Sequence, residues 1–228
     1  MKRALLEALQ LAREDSVPVA LVTDLEDSTQ GLVYGDHLVA PDLPLGSSLT
    51  QEVRAMLRAA RSGMLTDSQL FVRSYVPAYR LIIIGAVHIA QALSTLAQEC
   101  GYRVTVVDPR RAFATPERFH NVELCVEWPD EAMARLAPDA QTAVVTLAHD
   151  PKIDDPGLVA ALNSEAFYIG ALGSRRTHGK RVERLTEQGL GDKLERINAP
   201  IGLKLGGRSH AEIAVAILAQ LIQARYSG

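Results

Sequence analysis

The apolar positions of this chain change period close to Pro77. In residues 1–14, Leu5, Leu6, Leu9 and Ala12 recur at helical spacing, which predicts one amphipathic helix. The pattern then shortens. Val19-Ala20-Leu21-Val22-Thr23, Leu32-Val33-Tyr34 and His37-Leu38-Val39 are β-like pieces separated by Asp, Ser, Thr and Gly turns, as in a small antiparallel sheet. Ser48 and Gln51 form a candidate capping box for a helix through Arg61, ended near Gly63, and residues 69–76 predict a further strand.

Beyond Pro77, apolar strands alternate with helical segments, which predicts a parallel sheet with helices on both faces. The expected strands are residues 81–84, 103–107, 122–125, 142–147 and 167–170, with a short one near Ile201. Helix starts are signalled by Thr115 before Pro116, Trp128 before Pro129, Asp155 before Pro156, and Ser209 with Glu212. The expected fold class is α/β: a small N-terminal α+β domain, residues 1–78, followed by a Rossmann-like cofactor-binding domain, residues 79–228.

Residues 81–108 carry the strongest signal. Leu81-Ile82-Ile83-Ile84 runs into Gly85-Ala86-Val87-His88-Ile89-Ala90, a helical segment follows to Cys100 and Gly101, and a second apolar run ends at Asp108. Strand, glycine turn, helix, strand and terminal acid make a nucleotide-binding βαβ unit, with the acid about 20 residues after the turn. The middle glycine of such a turn is Val87 here, and its branched side chain is expected to project where a pyrophosphate would sit.

Composition narrows the class only modestly. Hydrophobic residues fill 47% of the 228 positions and charged residues 22%, which suits a soluble globular protein and excludes disordered or fibrous classes. A formal net charge of -3 gives no bulk attraction for nucleic acid or an acidic membrane, so neither is an expected partner and anion recognition must be local. No apolar run reaches the ~20 residues of a bilayer span, and Glu7 follows Lys2 and Arg3 too soon for a secretory segment. Two cysteines, Cys100 and Cys125, lack a CxxC spacing; buried packing with reduced thiols and cytoplasmic residence is the expectation.

In an open parallel sheet, ligand-contacting groups gather after the carboxyl ends of the strands. Those positions hold Gly85, Ala86 and His88, then Asp108 to Arg111, then His149 and Asp150, and finally Gly170-Ala171-Leu172-Gly173-Ser174-Arg175-Arg176 with His178 beyond. The last loop, with Gly170, Gly173, an N-cap Ser174 and paired Arg175 and Arg176, can present backbone N–H groups and guanidinium forks to a phosphate. Its other reading is a glycine turn leading into a solvated basic helix on which Lys180, Arg181 and Arg184 continue the exposed face. For His149-Asp150 an acid/base pair, a metal-site fragment, a clamp for a polar heterocycle and a simple turn before Pro151 all remain open. Asp108 suits ribose hydroxyls, whereas Arg110 and Arg111 beside it suit a phosphorylated ligand or an ion pair with the aspartate. No HxH or HExxH spacing unites the histidines into a metal site. Trp128, the single tryptophan, reads as an ordinary half-buried aromatic.

Taken in order, Gly85-Ala86-Val87-His88-Ile89-Ala90, Val106-Val107-Asp108-Pro109-Arg110, the stretch from Phe113 to Phe119, Ala148-His149-Asp150-Pro151-Lys152-Ile153-Asp154-Asp155, the stretch from Phe167 to His178, and Ala199-Pro200-Ile201-Gly202 closely resemble the XdhC/CoxI family over residues 80–228. These are accessory proteins of xanthine dehydrogenase and related molybdenum hydroxylases. The resemblance implies a chaperone that binds the molybdenum cofactor (molybdopterin or its dinucleotide form), supports its sulfuration with a cysteine desulfurase, and inserts it into a xanthine dehydrogenase-type molybdoenzyme. It also implies that Gly85, Ala86, His88, Asp108, Arg110, His149, Asp150, Gly170, Gly173, Ser174, Arg175, Arg176 and His178 bind that cofactor and that no residue is catalytic. Two positions depart from the family pattern: Val87 replaces a glycine of Gly-x-Gly-His, and no cysteine precedes Cys100, where relatives carry a Gly-Gly-Cys-Val-Glu-like motif.

Two other classes compete with the chaperone. An NAD(P)-dependent oxidoreductase has the same fold and an acid at Asp108, but Val87 disfavours it; an interaction module without a ligand is the third reading. A homodimer through surface helices is compatible with all three.

Overall fold

Alternation along the strands of the second half sends neighbouring residues into different helical layers. Leu81 and Ile83 join one buried cluster with Leu93 and Leu221, while Ile82 and Ile84 join another with Leu158 and Leu185. The computed structural model describes residues 2–35, 38–39, 43 and 45–227. The chain divides into two compact units, Met1–Pro77 and Ala78–Gly228.

The first unit contains α1 (Arg3–Glu14), β1 (Val19–Asp24), β2 (Gln30–Tyr34), β3 (Leu38–Val39), α2 (Ser47–Arg58), β4 (Gly63–Met64) and β5 (Leu70–Tyr75). Its five strands form one antiparallel sheet in the order β3-β2-β1-β5-β4. Val53, Met56 and Leu57 of α2 pack with Ala20, Val22 and Val72, while Leu9 and Ala12 of α1 pack with Val19 and Leu32. The expected Ser48–Gln51 capping box is replaced by an N-cap at Gly46, whose carbonyl accepts both the N–H and the hydroxyl of Thr50. The helix stops at Arg58, short of Arg61, where Ala60 turns to φ +51. The expected strand residue His37 lies outside the described residues.

The second unit contains β6 (Arg80–Ile84), α3 (His88–Glu99), β7 (Arg103–Val107), β8 (Glu123–Cys125), α4 (Pro129–Leu136), β9 (Thr142–Thr146), α5 (Pro151–Leu162), β10 (Tyr168–Ala171), α6 (Arg175–Glu187), a 3-10 turn (Gly191–Arg196), β11 (Ile197–Asn198) and α7 (His210–Ser227). All six strands are parallel, in the order β11-β10-β9-β6-β7-β8. Residues of α3 and α7 contribute to one core cluster, those of α4, α5 and α6 to the other, so helices cover both faces. This is the doubly wound order, and its switch point lies between β6 and β9. No helix among the described residues is long and apolar enough to cross a membrane.

Three expected features move. The segment after Thr115 forms successive turns instead of a helix and reaches Asn121 at φ +57; Gln91 and Gln98 side chains of α3 donate to the carbonyls of Arg118 and Asn121. α5 begins at Pro151, with Asp150 accepting from the N–H of Lys152 at 3.0 Å, so Pro156 lies inside the helix. Burial of Ile153 and Leu158 on either side, roughly 2 kcal/mol each, offsets the missing N–H. The last strand is Ile197–Asn198, and Ile201 instead packs over Gly170. The Ser209–Glu212 capping box forms as expected before α7, each backbone N–H donating to the other's side chain.

Gly85 sets the distance between the two switch-point loops. Its φ is +106, and a Cβ there would lie 2.6 Å from the backbone nitrogen of Ala148. Gly85→Ala is therefore expected to cost roughly 2–4 kcal/mol, since backbone must shift to admit the methyl group. Urea unfolding of the two forms measures this, and coincident midpoints would contradict the close approach.

Candidate functional site

Asp108 ends β7 with no exposed surface. Its Oδ2 accepts from the N–H of Ala86 at 2.8 Å, and Arg110 grips both carboxylate oxygens through Nε and Nη2 while also donating its backbone N–H. Burial works against the charge, but the Arg110 guanidinium and the two N–H groups outweigh it and hold the carboxyl below its usual range. Asp108 thus fixes the Gly85-Ala86 turn and has no oxygen left for a ribose. Arg110 lies over the Phe113 ring at 4.4 Å.

The turn leads to Val87, the N-cap of α3, where no side chain caps the helix and no acid occupies the first turn. Val87 is half-buried and packs against the core shared by α3 and α7, so its side chain is partly drawn inward. His88 is exposed and stacks on His210, at 5.2 Å between ring centroids, which joins the N-termini of α3 and α7.

Across the switch point, β9 leads into Leu147 and Ala148, and His149 is held at φ +60, a left-handed conformation uncommon for a side-chain-bearing residue. His149 is exposed, while Asp150 caps α5. On the far side Ser174 caps α6 by accepting from the N–H of Thr177 at 3.1 Å. Gly173 adopts φ +145 and leaves room for Thr177, but Gly170 is buried within β10, where a Cβ would lie 2.4 Å from Ile201. Gly170 is therefore a packing residue, which corrects its expected place in the site.

Consecutive residues of a helix project about 100° apart, and this separates the paired arginines. Arg176 lines a cavity of about 270 Å³ between α5 and α6 together with His149, Asp154 and Arg181. Arg175 lines another, of about 940 Å³, with the loop from Ala199 to Gly207 and with Gln220 of α7. The structure thus gathers Gly85, Ala86, Asp108 and Arg110 at one side of the switch point and His149 and Asp150 at the other. Arg175 and His88 face elsewhere.

Sequence reading missed the charged centre of the smaller cavity. Arg181, which one of the two readings of this loop puts on a solvated face, is only 2% exposed, as is Asp154. Arg181 donates from Nη2 to the carbonyl of Leu172 at 3.0 Å, and its nearest approach to Asp154 is 4.0 Å. Asp155 is taken by the Arg184 fork at 2.5 and 3.0 Å. Burial lowers the affinity of Arg181 for its proton despite both aspartates, and it does the same to His178, helped there by Arg181. Among the described residues, Arg181 Nε and Nη1, His178 Nδ1 and Thr146 Oγ1 are buried with no hydrogen-bond partner. The available signal was spacing: Arg181 lies seven residues after the Ser174 cap and four before the fully buried Leu185, on the inward face of α6.

Of the two cysteines expected to be buried only one is, while the tryptophan is half-buried as expected. Cys125 is buried and receives an N–H from Arg135 at 3.1 Å, whereas Cys100 is exposed at the end of α3, and Trp128 is 50% exposed as the N-cap of α4.

The strand order and the helices on both faces define a Rossmann-type unit. The chain belongs to the XdhC family: residues 81–221 match the XdhC Rossmann domain. It is 33% identical over 156 residues to the molybdenum cofactor insertion chaperone PaoD of Escherichia coli (strain K12), covering 68% of this chain and 43% of that protein. A Bacillus subtilis (strain 168) protein named as a probable xanthine dehydrogenase subunit is 30% identical over 188 residues, covering 81% of this chain and 53% of the relative. The chain therefore spans about half the length of these curated relatives. A crystal structure named as a xanthine dehydrogenase from Bacillus halodurans has the same fold, with a TM-score of 0.75, 23% identity, and coverage of 99% of this chain and 68% of that one.

Burial pushes Asp154 up to about 6, against the N–H groups of Ala148 and His149 and the charge of Arg181. The folded state thus holds a proton that the unfolded chain, with an aspartate near ~3.9, has released. This group's contribution to stability is complete below about pH 4 and is lost as pH rises through about 6. A carbon-13 titration of the Asp154 carboxyl is expected to show a midpoint near 6, and Asp154→Asn to remove that segment of the pH–stability profile. A midpoint near the unperturbed value would contradict the burial.

Proposed function

We propose that this chain carries the molybdenum cofactor as cargo in the crevice at the carboxyl ends of β6, β7, β9 and β10, and passes it to a xanthine dehydrogenase-type apo-enzyme. The observation that supports this most is the family match over residues 81–221, which encloses every strand-end segment lining the crevice. The E. coli relative's name, molybdenum cofactor insertion chaperone, supplies the cargo. Supporting the same reading, the crevice offers two chemistries that a phosphorylated pterin requires. The cavity between α5 and α6 has Arg176, Lys180 and the buried Arg181 for an anionic group, with His149 at its wall, and Arg110 and Asp150 beyond it suit a polar heterocycle.

Within this reading, Gly85 and Ala86 shape the turn, Asp108 and Arg110 hold it, Gly173 and Ser174 open α6, Arg176 lies at the anionic end, and Arg175 reaches the neighbouring cavity beside α7. Sulfuration of the cargo with a cysteine desulfurase, cytoplasmic residence and pairing of two copies belong to the same proposal. The dinucleotide-oxidoreductase alternative is weakened because both oxygens of Asp108 are occupied by Ala86 and Arg110.

Arg175→Ala combined with Arg176→Ala removes a cation from each of the two cavities. The double variant is expected to bind molybdopterin at least about tenfold more weakly, as loss of ~1.4 kcal/mol or more implies. Fluorescence titration of purified protein with molybdopterin measures this; unchanged affinity would contradict the assignment of α6 to the cargo's anionic end.

A further inference from the structure

The cavity between α5 and α6 contains more positive charge than its own carboxylates neutralise. Arg176, Lys180, Arg181 and Arg184 line it, against Asp154 and Asp155. Both carboxylates are already engaged. Asp155 is held by the bidentate Arg184 fork, and Asp154 accepts from the N–H groups of Ala148 and His149. Arg181 is left with one hydrogen bond, to Leu172, and a carboxylate oxygen 4.0 Å away, beyond hydrogen-bond reach. Two of its guanidinium nitrogens have no partner although the side chain is 3% exposed. A buried cation so poorly compensated is costly. The fold has nonetheless placed it in the wall of a cavity with room for a phosphate-sized group and several waters.

We propose that this cavity is an oxyanion site for a doubly charged tetrahedral group of the phosphate class. Arg181 supplies the buried counter-charge, Thr177 a hydroxyl, and the exposed Arg176 and Lys180 draw the anion in from solvent. A dianion balances the two cations that the carboxylates leave uncompensated, and the poorly compensated Arg181 in the cavity wall favours that charge. The site is separate from the Gly85 turn, where a dinucleotide-binding fold ordinarily receives phosphate. It needs no assumption about cargo: the oxyanion is either the phosphate of a bound cofactor or a free phosphate ion.

The test is calorimetric titration of the full chain with inorganic phosphate at constant ionic strength. Saturable one-to-one binding is expected in the wild type, weakened at least about tenfold in Arg176→Ala with Lys180→Ala, two exposed positions whose loss leaves the core intact. Arg181→Met is expected to abolish binding, and Arg103→Ala, which removes a cation from the start of β7 at the opposite end of the sheet, to leave it unchanged. Absence of saturable binding in the wild type, or equal affinity in the Arg176/Lys180 double variant, would overturn the proposal. Repeating the titration with molybdopterin present separates the sources: loss of phosphate binding identifies the site with the cofactor's phosphate, and retention identifies a free-ion site. If molybdopterin does not bind at all, the cargo reading fails while the phosphate result stands on its own.

Discussion

Asp108 accepts four hydrogen bonds in a position with no exposed surface, and the crevice takes its shape from that arrangement. The bond to Ala86 ties the end of β7 to the loop after β6 and fixes the glycine turn. Gly85, held there, presses against the Ala148 backbone, which in turn donates to Asp154. One buried carboxylate therefore aligns the loops on both sides of the switch point, and a second receives the alignment at the head of α5. Asp108 is fully buried while the Arg110 side chain is 35% exposed, so removing the arginine would strand a buried carboxylate, and these loops are held more firmly than exposed connections generally are.

The consequence for function is that the acid ordinarily associated with ribose recognition is here a structural element. On the proposed reading, recognition shifts toward α5 and α6, where cations outnumber free carboxylates and where buried polar atoms lack partners. His149 stands at the junction, exposed and in a left-handed conformation, between the Asp108-bound turn and the basic cavity. Separation of Arg175 from Arg176 by the helical turn gives α6 a hand on two cavities. A ligand with an anionic end and an extended polar body is the kind of molecule such a surface suits.

Much of the doubly wound unit was legible because its strands are continuous apolar runs and its turns carry glycine, as with Leu81-Ile82-Ile83-Ile84 before Gly85. The Ser209–Glu212 and Ser174 caps were legible for the same local reason. What failed depended on distant partners or on competing caps. The segment expected to be helical at Pro116 instead turns and is tied to α3 through Gln91 and Gln98, and the start expected at Pro156 moves back to Pro151, where Asp150 provides the cap. Arg181 was the most consequential miss. Local pattern places a basic residue of α6 in water, and only the packing of α6 against α5 and the end of β10 buries it. The role of Asp108 was stated among alternatives, and its geometry selects the ion pair with Arg110.

On the reading proposed above, this crevice selects a molybdenum cofactor over a nicotinamide dinucleotide although the fold is common to binders of both. The most direct measurement is a parallel titration of the purified protein with molybdenum cofactor, NADH and NADPH at one salt concentration. Saturable binding of the molybdenum cofactor with no measurable binding of either nicotinamide is the predicted result. Binding of NADH or NADPH as tight as or tighter than that of the molybdenum cofactor would contradict it.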